Sequence, residues 1–357
     1  MIKDFSKIPA IKKVINTTED VIKFNVGNIQ VSTNPGDEVK LILKTSSDLA
    51  VLNKRMEEFG VTVEDDSSVP ASTPEELAEL IDNPEISEIT LTEDMTLSAT
   101  KVIDRDLTID LGGNVITCNE KAFSAEGNAN LVLDNGKFVA TGSNYPVRCG
   151  VQKHSADNHP TVTLGKDLEI ESNWYGACVF GPNSTLNVYG TIDVTSDGYG
   201  ISGNGNAGNG GTTINVYDGA VIRANSKGSA FYLPQDGVLN IYGGDYEGDS
   251  VVLVKSGTVN VMGGKLHATG PKVEMPSPSF DGKEPTGDTI GVEVNNKYTG
   301  GKEDKNIKIN VTGGELISDN AYIIREVNIN NSDITIEVTG EYFNKETIAE
   351  GVNIYTK

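Results

Sequence analysis

The chain has 357 residues, 39 of them glycine, with 6% aromatic residues and a formal net charge of −22. That length exceeds one ordinary compact core and suits a small domain joined to an array that grows by repetition. The charge excludes a sequence-blind nucleic-acid binder, which needs a basic surface to displace counterions, and no apolar run approaches the ~20 residues of a spanning helix, so no membrane insertion is expected.

The N-terminus, Met1-Ile2-Lys3-Asp4-Phe5-Ser6-Lys7, has no basic region followed by an apolar core, so no secretory signal is expected. Residues 1–66 stand apart from the remainder of the chain. Alternation in Val21-Ile22-Lys23-Phe24-Asn25-Val26 predicts a strand, Asn34-Pro35-Gly36-Asp37 a turn, Val39-Lys40-Leu41-Ile42-Leu43 a strand, and Ser47 to Phe59, closed by Gly60, a helix. This is the pattern of a small α+β domain. It holds nine basic and eleven acidic residues, leaving 20 basic and 40 acidic residues beyond it, so nearly all of the net charge lies outside this domain.

Residues 67–84 read as a linker and a capping helix. Glu64 to Ser72 is poor in apolar residues; Thr73-Pro74-Glu75-Glu76 then forms a capping box with proline at the first helical position. Leu77, Leu80 and Ile81 give the helix one apolar face, suited to cover the open end of a core beginning just after it.

Beyond this helix one phrase returns with changing side chains. It reads LNVYG at Leu186, INVYDG at Ile214, LNIYGG at Leu239, VNVMGG at Val259 and INVTGG at Ile309. Each alternates apolar and polar residues and turns on glycine, the period of a half-buried strand ending at a bend. With LVLDNG at Leu131, VTLGKD at Val162 and ITIEVTG at Ile334, the unit is about 25 residues, with one interval doubled. A second short strand comes after each phrase, such as Asp245 to Glu247, then a turn at Gly248-Asp249. A third strand comes next: Val251-Val252-Leu253-Val254, recurring at Ala177 to Phe180, Gly200-Ile201-Ser202, Ala230 to Leu233 and Tyr322-Ile323-Ile324.

Three strands per unit with no intervening helix predict a mainly β fold, a parallel β-helix over residues 85–357. Parallel crossovers are right-handed, so the winding is expected to be right-handed. With earlier coils at Ile89-Thr90-Leu91 and Leu107-Thr108-Ile109 the count is roughly ten coils, a rod on the order of 45–50 Å at the strand spacing. Between about residues 270 and 306 the rhythm breaks at Pro271, Pro276, Pro278 and Pro285 and at the run Gly300 to Lys305, with a coil strand kept at Gly291 to Val294. This reads as one coil carrying two extended loops. Val352-Asn353-Ile354-Tyr355 is expected to close the far end.

Over about residues 85–357 the glycine-turned units resemble the right-handed parallel β-helices of the pectate-lyase-like superfamily. The resemblance implies the fold and little about activity, since that superfamily includes lyases, hydrolases, adhesins and phage fibres and tailspikes.

The alternation places Asn187, Asn215, Asn240 and Asn260 in one outward column and Tyr189, Tyr217 and Tyr242 in another. The asparagines predict a structural amide ladder, and the tyrosines either a stack that joins coils or a platform for carbohydrate or a partner. Polysaccharide cleavage would need paired carboxylates or a base beside a cation. Asp193, Asp218, Asp245 and Glu247 are candidate acids, but an acidic surface supplies such residues by chance. Arg105, Arg148, Arg223 and Arg325 are scattered over distant coils, and His154, His159 and His267 have no partner at a defensible spacing. No catalytic residue is therefore assigned. Cys118, Cys149 and Cys178 have no metal-ligand spacing, and Cys149 and Cys178 are expected to stack as buried thiols on consecutive coils. Gly203 to Gly211 lacks the aspartate of a calcium nonapeptide and the lysine of a phosphate loop and reads as a flexible turn. No metal or cofactor is expected.

An acidic β-helix suits an exterior surface, yet no export signal, anchor or disulfide framework is read here. Tailed-phage virion proteins, made in the host cytoplasm and released by lysis, meet both conditions. The layout resembles a phage head fibre or capsid decoration protein on the virion surface: residues 1–66 would bind a capsid or tail protein and the rod would project toward a host-surface glycan. The expected action is adhesion without turnover, with a tailspike-like depolymerase or a bacterial surface adhesin fragment as the alternatives. Trimerisation is common among such fibres, though no heptad stretch demands a homotrimer here.

Overall fold

A computed structural model describes residues 10–65, 68–152, 159–206, 208–273, 284–294, 306–328 and 333–339. The proposed closing strand at 352–355 lies outside them, as do the centres of both loops between 270 and 306.

Residues 10–65 form β1 (Ala10–Ile15), β2 (Ile22–Val26), β3 (Ile29–Thr33), β4 (Glu38–Leu43), α1 (Ser46–Phe59) and β5 (Thr62–Asp65). β1 pairs antiparallel with β4 and β5, and β2 with β3. Thr45 and Asp48 start α1 with a reciprocal capping box, and Gly60 ends it in the left-handed conformation, φ 70°. Leu49 and Leu52 of α1 pack with Val14, Phe24, Val31 and Leu43 in a cluster of their own. This region meets the stacked sheets through Lys40–Asp110 at 3.1 Å and Lys44–Glu93 at 2.9 Å. Ile42 rests on Gly112, where an added Cβ would come within 2.5 Å of its Cδ1.

The segment read as a linker is partly structure. β6 (Val69–Ala71) pairs parallel with Glu88–Leu91, Ala71 is fully buried, and the Ser68 and Thr90 hydroxyls lie 2.7 Å apart. α2 (Pro74–Asp82) comes next, capped by Thr73, whose hydroxyl accepts from the Glu76 N–H at 3.2 Å. The carboxylate of Glu76 reaches one residue beyond the predicted box, accepting from the Ser72 N–H at 2.8 Å and hydroxyl at 2.7 Å. Leu77 and Ile81 enter the long core. Arg105 donates to the carbonyls of Leu80, Ile81 and Asn83 at 3.1, 2.9 and 2.9 Å, satisfying the open end of α2.

The rest is mainly β, in long stacked parallel sheets consistent with a parallel β-helix. Among the described residues the first sheet has eleven strands, from β6 and Glu88–Leu91 through the recurring phrases to Asp333–Val338. Its inward residues Leu131, Val162, Leu186, Ile214, Leu239, Val259 and Ile309 stack in register and are buried. The last phrase pairs differently from its predicted alignment: Ile336, not Ile334, lies opposite Ile309. A slip of two residues leaves inward and outward faces unchanged, so alternation alone does not discriminate the two frames.

The second and third strands of the units belong to one sixteen-stranded sheet. Val221–Leu233 and Asp245–Val254 run through both legs, so the turn predicted at Gly248-Asp249 is a bend within a continuous strand. In the second leg, Ile116, Phe138, Ile170, Ile192, Ile222, Tyr246 and Leu266 form one buried column. Tyr246 fits this apolar row because its hydroxyl donates to the carbonyl of Gly243. Ile290–Val294 keeps the coil strand predicted inside the insertion.

The thiols do not stack. The register pairs Cys149 with Val179 and Cys178 with Arg148, and one residue of offset turns the two side chains to opposite faces. Cys149 faces the core, and Cys178 points outward into a separate aromatic cluster.

Candidate functional site

The structure places Asn187, Asn215, Asn240 and Asn260 in one row and extends it to Asn310. Each amide donates to the one before it: Asn215 to Asn187 at 2.9 Å, Asn240 to Asn215 at 2.9 Å, Asn260 to Asn240 at 2.8 Å and Asn310 to Asn260 at 2.7 Å. An amide carries both donor and acceptor, so identical residues at identical levels satisfy one another.

Beside this ladder, Tyr189 and Tyr217 stack at 4.3 Å between centroids and 2° between planes, and Tyr217 and Tyr242 at 5.2 Å and 13°. Tyr189 is 36% and Tyr242 46% exposed. The faces of these rings cover each other, so the surface they offer is edges and hydroxyls. A sugar ring stacks through its C–H face on an open aromatic face, which this column does not present along its length.

A second aromatic column, missed in the sequence, stands on the third leg. Tyr175 and Tyr199 share a register position; their rings stack at 5.1 Å, and Tyr199 stacks on Tyr232 at 4.7 Å. At the other end Tyr145 lies 6.4 Å from Tyr175, nearly parallel at 12°. The column borders a cavity of about 250 Å³ closed by Phe180 and by the loop at Gly203-Asn204-Gly205. The segment read as a flexible turn is thus one wall of a cleft. Within that loop the Asn204 side-chain oxygen Oδ1 accepts from the Asn206 backbone N–H at 2.9 Å and from the Asn209 side-chain amide at 3.1 Å.

Glycine permits this arrangement. A Cβ at Gly176 would lie 2.2 Å from Ile192 Cγ2, and one at Gly200 2.2 Å from Ile222 Cγ2. Each glycine comes just after a column tyrosine and lets the third leg close on the second. The pairs Tyr175-Gly176 and Tyr199-Gly200, one coil apart, were the signal available in the sequence.

The thiol of Cys178 lines the same cleft, and burial pushes its pKa well above the ordinary thiol value, with Lys121 and Arg148 opposing. It is therefore protonated and a weak nucleophile at neutral pH. Burial likewise raises the Tyr145 phenol. Among the described residues that line the cleft there is no carboxylate, imidazole, guanidinium or ammonium group.

The candidate acids lie elsewhere. Glu171, Asp193, Arg223, Glu247 and His267 form one row across the second leg. Lys137 pairs with Glu169 and Glu171 at 2.8 Å each, and Arg223 with Asp245 at 3.7 Å. Asp218 stands exposed in the turn after Tyr217. His267 does have partners, Asp319 at 2.9 Å and Glu247 at 3.7 Å, because the strands bring distant coils to its level. His159 Nδ1 lies 3.1 Å from the Asn183 amide, and His154 is outside the described residues. The scattered arginines are each engaged: Arg105 at α2, Arg148 with Glu126 at 2.6 Å, Arg223 as above, and Arg325 with buried Asp288 at 3.6 Å. Among the described residues no group of three metal-ligating side chains gathers, and no helix is long and apolar enough to cross a membrane.

Comparison of the chain with protein-family models, with curated proteins and with solved structures found no significant match in any of the three. The geometry of the molecule is therefore what bears on its function.

Proposed function

We propose that this chain is a non-enzymatic adhesion protein of a virion surface, a phage head fibre or capsid decoration protein. Its N-terminal region would hold the particle, and a right-handed β-helix of roughly ten coils would present an acidic rod outward to host-surface glycan. The observation that carries this reading is the aromatic cleft on the third leg, a pocket whose described lining residues carry no charge, on a strongly acidic chain. Two further features support it. The candidate acid Asp245, like Glu171 beside Asp193, is ion-paired along the second leg, an arrangement that suits a stable surface better than acid–base turnover. The separate core of residues 10–65 and its thin contact with the rod suit an attachment module. Many copies on one particle would add weak contacts into strong adhesion.

Cryo-electron microscopy of particles carrying the full chain, beside particles lacking residues 1–65 so that β6 stays with the sheet, tests the attachment. The expected result is rod density on the capsid or tail that the deletion removes. Absence of particle association in the full chain would refute the virion reading.

A further inference from the structure

We propose that the cleft beside Tyr145, Tyr175, Tyr199 and Tyr232 is a binding site for an uncharged saccharide, entered from the Tyr145 end. This rests on the adhesion reading and assigns its ligand class and its place, which is not the tyrosine column legible in the sequence.

The lining decides the chemistry. A saccharide ring offers apolar C–H faces and a rim of hydroxyls, and needs aromatic faces together with neutral donors and acceptors. The cleft supplies both: the tyrosines and Phe180 as walls, and the amides of Gln152 and Asn204 and the hydroxyl of Ser202 as hydrogen-bonding groups. Its volume of about 250 Å³ holds one sugar ring with its neighbours projecting into solvent. An acidic sugar would need a cation to meet its carboxylate. Among the described residues no cation lines the cleft; Lys121 lies outside the lining, 5.7 Å over the Tyr145 ring, and the net charge of −22 repels anions at long range.

The column also opens in one direction. Centroid spacing grows from 4.7 Å at Tyr199–Tyr232 to 5.1 Å at Tyr175–Tyr199 and 6.4 Å at Tyr145–Tyr175. Trp174 stands at this wider end, 39% exposed and edge-on to Tyr175 at 5.4 Å and 81°. It is the single tryptophan of the chain and touches the cleft through Tyr175, so its emission serves as the reporter of a ligand at this end.

The test is a fluorescence titration of the full chain with neutral gluco- and manno-oligosaccharides, with oligogalacturonate and with a proline-rich peptide. Tyr145→Ala, Tyr175→Ala and Tyr217→Ala are titrated in parallel, and near-ultraviolet circular dichroism verifies that each is folded. A neutral oligosaccharide is expected to shift Trp174 emission saturably. Tyr145→Ala and Tyr175→Ala are expected to weaken binding by about tenfold, the loss of a stacking contact, and Tyr217→Ala to leave it unchanged. Preference for oligogalacturonate or for the peptide would overturn the ligand class. Glycan binding to the chain by calorimetry with a silent Trp174, or binding lost only in Tyr217→Ala, would overturn the site while leaving adhesion standing. No binding of any glycan by either method would overturn both.

Discussion

The molecule carries two tyrosine columns built on the same coil repeat, and they have become different things. At the end of the first sheet, Tyr189, Tyr217 and Tyr242 stack almost plane on plane in the open, next to an amide ladder that also satisfies itself. On the third leg, Tyr145, Tyr175, Tyr199 and Tyr232 are more buried, splay along the axis and share a cavity with a glycine–asparagine loop. A ladder whose members satisfy one another is a joint between coils. A ladder with a wall opposite it is a site. The repeat sets the spacing of both, and the loop separates their roles.

The largest expected effect comes from removing the close approach that shapes the cleft. Gly200→Val would drive a side chain into Ile222 Cγ2 and the Ala230 carbonyl. The expected cost is about 3 kcal/mol, the upper end for overpacking, read as a melting transition lowered by several degrees and a lost Trp174 response. If stability is unchanged, the third leg does not close on the second as described. Next comes the amide ladder. Asn240→Leu deprives Asn215 of its donor and Asn260 of its acceptor, for about 2 kcal/mol in denaturant unfolding. A cost no larger than that of a surface substitution would mean that water replaces the ladder freely.

Tyr217→Ala breaks two stacks at once and should cost about 1–2 kcal/mol while leaving saccharide binding intact, which separates the joint from the site. Smaller still is the contact between the N-terminal region and the stacked sheets. Lys40→Ala removes the ion pair to Asp110, worth no more than about 1 kcal/mol and less in high salt. Faster hydrogen exchange in residues 10–65 with an unchanged unfolding transition of the stacked sheets is the expected outcome, and equal protection would assign the contact to Ile42 on Gly112 instead.

The smallest effect is electrostatic. Burial, opposed by Arg223, raises the Asp193 carboxyl above its ordinary 3.8. A raised folded pKa contributes stability below the ordinary value and loses it as pH rises through the folded value. Asp193→Asn should therefore remove this contribution, so that melting temperature falls less as pH rises above about 4 than it does in the unsubstituted chain. An unchanged slope would place the ionisation of Asp193 outside folding.

Much of the fold was legible because its determinants are local. Alternation within Leu239-Asn240-Ile241-Tyr242 states which side chains turn inward, and Gly243-Gly244 states where the strand must end. Thr73 and Pro74 mark the start of α2, and Leu77 and Ile81 mark the face it buries. Where two frames share a period, local pattern is silent: Ile334 and Ile336 alternate equally well, and only pairing with Ile309 selects between them. The single-residue offset that sends Cys149 inward and Cys178 outward is likewise a property of register between coils.

What the sequence determined by itself was the period, the inward faces and the two self-satisfying columns, because each depends on residues one coil apart in the same phrase. The cleft was decided by tertiary structure. Its walls come from Tyr145, Tyr175, Tyr199, Tyr232 and a loop after Ser202; Tyr175 and Tyr199 share a Tyr-Gly context, the others do not, and all become neighbours only when coils stack. His267 met Asp319 in the same way, across 52 positions, because stacking in register converts distance along the chain into one coil spacing.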